Sequence, residues 1–151
     1  MGTIEQEIHQ KKFKNNSIKL DVNIMFTASF MALVKKRNLD RFGISWQQFN
    51  ILRILRGVHP LSYSLKDLTD RMVDRTSNTS RLVDKLITKN LVIRDTSDND
   101  RRRVNITISF KGLELVDSAS TTLEQELEKS LQHLSEEELV TLNQLLDKVR
   151  G

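Results

Sequence analysis

Asp100-Arg101-Arg102-Arg103 places three adjacent guanidinium groups behind one carboxylate in a chain of 151 residues. Cations crowded this closely repel one another unless a polyanion or solvent receives them. One guanidinium fits a narrow A/T-rich minor groove, where negative potential is enhanced. Phosphates would repel Asp100, so its expected role is to hold Arg102 in a bidentate pair and pre-aim the loop. Upstream, a helix is expected over about 76–89, with Thr76, Ser77 and Asn78 at its N-terminal end and Arg81 and Lys85 facing out. Short hydroxyl and amide side chains let backbone approach a groove and either read base edges or bind phosphate. Arg81, one turn on, reaches guanine edges or backbone, and the helix N-terminus offers unpaired amides to a phosphate. The combination predicts a helix for the major groove and a finger for the minor groove. Taken singly, these residues also suit capping positions, a solvated surface and a charged hairpin tip.

The net charge of +4 conceals a segregation. Residues 1–70 carry 11 Lys/Arg against 6 Asp/Glu, and residues 71–111 carry 10 against 5, whereas 112–151 carry 3 against 9. Positive charge concentrated beside the candidate helix pair favours phosphate binding, and the acidic tail points away from it. No cysteine is present, which excludes disulfides, thiolate metal sites and thiol switches and suits a reducing cytoplasm. No apolar run near eighteen residues and no signal-peptide core are apparent, so a soluble, cytoplasmic protein without membrane contact is expected. A phosphate-cradling glycine loop and a nucleophile elbow are both missing, and His9, His59 and His133 lack ligand spacing. Neither an enzyme nor a metal or cofactor site is therefore expected.

The elements that must position these groups are mostly helical, since only one proline and five glycines interrupt the chain. Val22, Met25, Phe26, Phe30 and Leu33 recur at helical spacing in a first long helix ending between Arg37 and Gly43. Ile4 and Ile8 belong either to that helix or to an earlier arm. Ser45 and Gln48 form a capping box before a helix buried through Phe49, Leu52 and Leu55 and stopped at Gly57 and Pro60. A short helix from Ser64 turns Leu65, Leu68 and Met72 inward. A turn over 73–75 leads to the 76–89 helix, whose Leu82 and Leu86 face in and whose end Asn90 closes in the left-handed conformation. Residues 91–95 and 103–108 read as two strands, the second alternating Val104, Ile106 and Ile108 with polar residues. A lone hairpin is marginal, so this face must lie on the helices. Ser109 caps a long helix with Val116, Ala119, Leu123, Leu127 and Leu131 on one stripe. Ser135 and Glu138 open a last one with Leu139, Leu142, Leu146 and Val149 inward. The first and last helices carry more apolar surface than a small helical module needs; a second copy of the chain or the same subunit must cover it.

The order of these motifs resembles the winged helix–turn–helix of the MarR family of transcription regulators. The residues that carry the likeness are 68–72 (LTDRM), 80–86 (SRLVDKL), 89–92 (KNLV), the turn 98–102 (DNDRR) and the exit 108–112 (ISFKG). The resemblance implies a mainly α fold with a small two- or three-stranded antiparallel β wing. It further implies a single domain over 1–151, with a DNA-binding part at 45–109 and helical dimerisation parts at 1–40 and 110–151. It implies a homodimer on double-stranded DNA, with a palindromic operator and repression relieved by a small ligand, often a phenol or aromatic acid. By position, Ser77, Asn78 and Arg81 fall in the recognition helix, Asp100 and Arg102 form the wing's ion pair, and Arg101 or Arg102 enters the minor groove. Asn90 stands where the family usually has glycine. The lack of cysteine removes the oxidation-sensing branch and leaves either a small aromatic or anionic effector, for which Phe26, Phe30, Trp46 and Phe49 offer a lining, or no effector at all. The same four residues also suit plain core. A protein-interaction module that has lost DNA binding is the competing expectation; it would tend to lack a basic wing.

Overall fold

A computed structural model describes residues 2–96 and 104–151. Thr3 and Gln6 form a capping box at α1 (Ile4–Glu7), which lays Ile4 into the interior as an arm distinct from the long helix. Asn15 caps α2 (Asn16–Leu39) by accepting from the Ile18 amide at 3.0 Å. A 3-10 turn over Asp40–Phe42 follows, and Gly43 ends it at φ 66°, a left-handed backbone that glycine adopts without strain. Ser45 and Gln48 cap α3 (Trp46–Arg56) reciprocally, as their spacing predicts. Next come α4 (Leu65–Arg71), α5 (Thr79–Thr88), β1 (Val92–Thr96), β2 (Val104–Ile108), α6 (Phe110–Leu131) and α7 (Glu136–Arg150).

β1 and β2 pair antiparallel, with Val92 opposite Ile108 and Thr96 opposite Val104. Tyr63 adds a one-residue third rung, exchanging both backbone hydrogen bonds with Ile106. The fold is therefore mainly α with a small antiparallel wing. Leu39, Ile51, Leu52, Leu55, Leu68, Val83, Leu86, Leu91, Ile106 and Val116 form the innermost core. Each leucine or isoleucine buried in this way contributes roughly 1.5–3 kcal/mol. Asn90 closes α5 at φ 59°, the left-handed conformation expected of it. Ser109 caps α6 by accepting from Gly112 N, and its own hydroxyl donates to the Asn90 carbonyl.

Two expectations change. The helix after the turn starts at Thr79, not near Thr76. The Asp74 carboxylate accepts from the Thr76 amide and hydroxyl at 3.0 and 2.7 Å, which holds the chain in a turn until Asn78 caps the helix. Leu142 and Val149, expected inward on the last helix, are exposed. Met25 (66%) and Leu33 on α2 are exposed as well, so part of the apolar stripes of α2 and α7 is left uncovered within the subunit, although α1, α6 and α7 border the rest of α2. Within Asn16–Phe42 one window is long and apolar enough to cross a membrane by length and composition, although no uninterrupted apolar run of that length is present.

Candidate nucleic-acid interface and effector cavity

α4 and α5 meet through a turn that α3 pins from beneath. Asn50, buried on α3, accepts from the Val73 amide at 2.9 Å, and Gln47 donates to Asp74 at 3.4 Å. Hydrogen bonds from the Thr76 side chain, then from its backbone and from Gln47, hold the Asp74 carboxyl below its ordinary range. Asn78 accepts from the Arg81 amide at 3.1 Å, satisfying one of the free donors at the helix start. Val83 and Leu86 fix the inner face of α5, which leaves Arg81, Asp84, Lys85 and Thr88 on its outer face. Arg94 on β1 reaches back to Asp84 at 2.7 Å and ties the base of the wing to α5.

The DNA-facing residues expected from the sequence thus divide. Arg81 is solvent-exposed on α5 as anticipated. Lys85 is exposed too, but it borders a groove shared with Ser45 and Gln48 at the start of α3. Thr76 and Ser77 precede the helix instead of belonging to it, and the Asn78 side-chain oxygen is engaged in capping. The Ser77 hydroxyl, expected to face out, is buried on the side of the Asp74 carboxylate. It turns inward because the Asp74 carbonyl accepts from the Ser77 amide and folds the chain back at this point. Asp100, Arg101 and Arg102 lie outside the described residues.

The four aromatic residues expected to line one effector site fall in two cavities. Phe26 and Phe30 border a space of about 400 Å³ with Ile4, Met31 and Leu131, between the middle of α2, α1 and the end of α6. Trp46 and Phe49, with ring centroids 5.8 Å apart, border another of about 480 Å³ between α2, α3 and α6. Their separation follows from α2, which places Phe30 more than one helical turn before Lys35, the residue that enters the second cavity. Lys35 Nζ lies 4.1 Å from the Trp46 ring centroid, a cation–π contact. Burial, and then the charge of Arg53, depress the Lys35 amine below its ordinary 10.5. Arg53 and Arg56 complete the cationic wall. These three cations were missed in the sequence, although Trp46, Phe49, Arg53 and Arg56 follow one another at intervals of three or four residues along a single face of α3.

Residues 44–104 match the family model described as MarR family. The HTH-type transcriptional regulator MhqR of Bacillus subtilis (strain 168) is 27% identical over 113 residues, spanning 75% of this chain and 77% of its own. Two solved structures share the fold. One is a mutant of MarR from E. coli complexed with operator DNA (TM-score 0.79, 22% identity, 93% of this chain and all of the other). The second is the organohalide-sensing transcriptional regulator RdhR in its 2,4-dichlorophenol-bound form (TM-score 0.83, 21% identity, 93% of this chain and 85% of the other).

Proposed function

We propose that the chain is a MarR-family transcription regulator that represses its target genes as a cytoplasmic homodimer on a palindromic operator until a small effector releases it. The observation that carries this is the Asn78-capped α5, which holds Arg81 outward and is tied by Asp84–Arg94 to a hairpin leading into three consecutive arginines. A capped helix of this kind enters a major groove, and the arginine turn enters the adjacent minor groove. The uncovered stripes of α2 and α7 supply the apolar surface for a second copy, whose twofold symmetry would match a palindrome. The operator DNA bound by E. coli MarR supports the same partner here.

The effector belongs in the cavity of Lys35, Trp46, Phe49 and Arg53, where aromatic rings and two cations that make no ion pair among the described residues suit an aromatic anion. The phenol bound by RdhR supports that class. Duplexes selected by the purified protein from random genomic fragments test the proposal. Their affinity should fall steeply with salt through counterion release, and their half-sites should lie about one helical turn, roughly 34 Å, apart. A monomeric mass at micromolar concentration, or salt-insensitive binding to a partner protein alone, would overturn it.

A further inference from the structure

Arg56 closes α3 and also borders the cationic cavity. Its Nη1 donates to Asp117 Oδ1 on α6 at 2.7 Å and to Ser120 Oγ at 3.2 Å. Among the described residues this is the only ion pair that joins 45–109 to the helices on either side. α3 in turn packs on α5 and pins the turn before it through Asn50 and Gln47. The strut therefore connects the flanking helices to the element that presents Arg81.

The same guanidinium has a second claim on it. Lys35 and Arg53 have no carboxylate partner among the described residues, and Glu124 is the one carboxylate bordering the cavity. Asp117 is 65% exposed, so water screens its hold on Arg56. A carboxylate or phenolate inside the cavity would meet Arg56 in drier surroundings, where opposite charges attract more strongly.

We infer that Arg56 is the residue that reports occupancy: an aromatic anion seated against Trp46 draws its guanidinium away from Asp117 and Ser120 and removes the polar tie between α3 and α6, leaving their apolar packing to readjust. The inference rests on the chain being a DNA-binding regulator. It makes Arg56 a ligand contact and Asp117 a positioning residue whose loss imitates the bound effector. Linkage fixes one consequence: the factor by which the anion weakens the operator complex is the factor by which operator DNA weakens anion binding.

Trp46 is the only tryptophan, so its fluorescence reports on this cavity alone. The full-length protein is titrated without DNA using benzoate and, as neutral counterpart, benzamide; operator affinity is measured separately on a selected duplex. Benzoate should quench saturably and bind roughly 10-fold more tightly than benzamide, since a single charge-assisted contact carries about that preference. Asp117→Asn should bind benzoate roughly 5-fold more tightly or better, bind the duplex more weakly, and lose the effect of benzoate on the duplex. Asp117→Glu should restore all three. A purely structural role for Asp117 would weaken duplex binding without tightening benzoate. Unchanged benzoate affinity in Asp117→Asn, equal binding of benzamide, or no quenching by either compound overturns the inference. Wild-type protein that keeps these fluorescence responses but binds no duplex would instead sink the regulator proposal and leave the exchange at Arg56 standing.

Discussion

Gly112 lies directly against the backbone of Leu91: a Cβ placed on it would sit 2.2 Å from the Leu91 carbonyl oxygen and 2.8 Å from the Ile108 side chain. The Leu91 oxygen already accepts from Ser109 N, and the Ser109 hydroxyl donates to Asn90. The exit of α5 and the entry of α6 are thus locked together on either side of the wing. Gly112→Ala must push backbone apart, so it should cost about 1–3 kcal/mol, read as a lowered chemical-denaturation midpoint. Unaltered stability would mean that the two segments separate easily.

Asn50 is a polar residue in an apolar place. Asn50→Leu keeps the volume but leaves the Val73 amide without its acceptor, at a cost of about 1–3 kcal/mol. The loss should extend to operator affinity because Val73 begins the turn before α5. A variant of normal stability and normal DNA binding would remove Asn50 from the positioning scheme.

Asn78 carries two roles that substitution can separate. Asn78→Ala removes the cap and should destabilise by about 1 kcal/mol, whereas Asn78→Asp preserves it. If Asn78 also approaches DNA, the aspartate variant should fold normally yet bind the duplex more weakly, through repulsion by phosphate. Equal duplex affinity in Asn78→Asp and wild type would confine Asn78 to capping.

The arginine turn is best tested by salt. Arg102→Ala should weaken operator binding by roughly 1–3 kcal/mol if it makes a specific contact, and each lost phosphate contact should lower the salt slope by about 1. Unchanged affinity in the Arg101→Ala/Arg102→Ala double variant would exclude the minor-groove finger.

Asp74 makes the turn acid-sensitive. Its folded-state pKa is lowered, chiefly by the Thr76 hydroxyl, so its contribution is complete above the ordinary 3.8 and disappears as pH falls from there through the lowered value. Amide exchange at Thr76 should therefore accelerate over that acidic window in wild type but show no such step in Asp74→Asn. The same step in both proteins would assign it to another group.

Much of this was visible residue by residue. The capping boxes at Ser45 and Ser135, the left-handed Asn90 and the alternation through Val104, Ile106 and Ile108 each depend on neighbours within a few positions. Local hydrogen bonds and side-chain period carry that information without reference to the rest of the chain. The start of α5 was misjudged because Asp74 competes for the Thr76 amide, and a competing acceptor two residues away leaves the apolar pattern unaltered.

The cavity belongs to a different order. Phe26, Phe30, Trp46 and Phe49 look equivalent as a list of aromatics; the crossing of α2 over α3 sends the first pair to one space and the second pair to another. Lys35, Arg53, Arg56 and Asp117 come from three helices, and no spacing along the chain foretells that they converge. The amino-acid sequence on its own determined the order of helices, their caps and the run of basic residues between the two strands. Helix packing alone decided which charges face one another, because Coulomb attraction acts through space and depends on separations that only the folded chain sets.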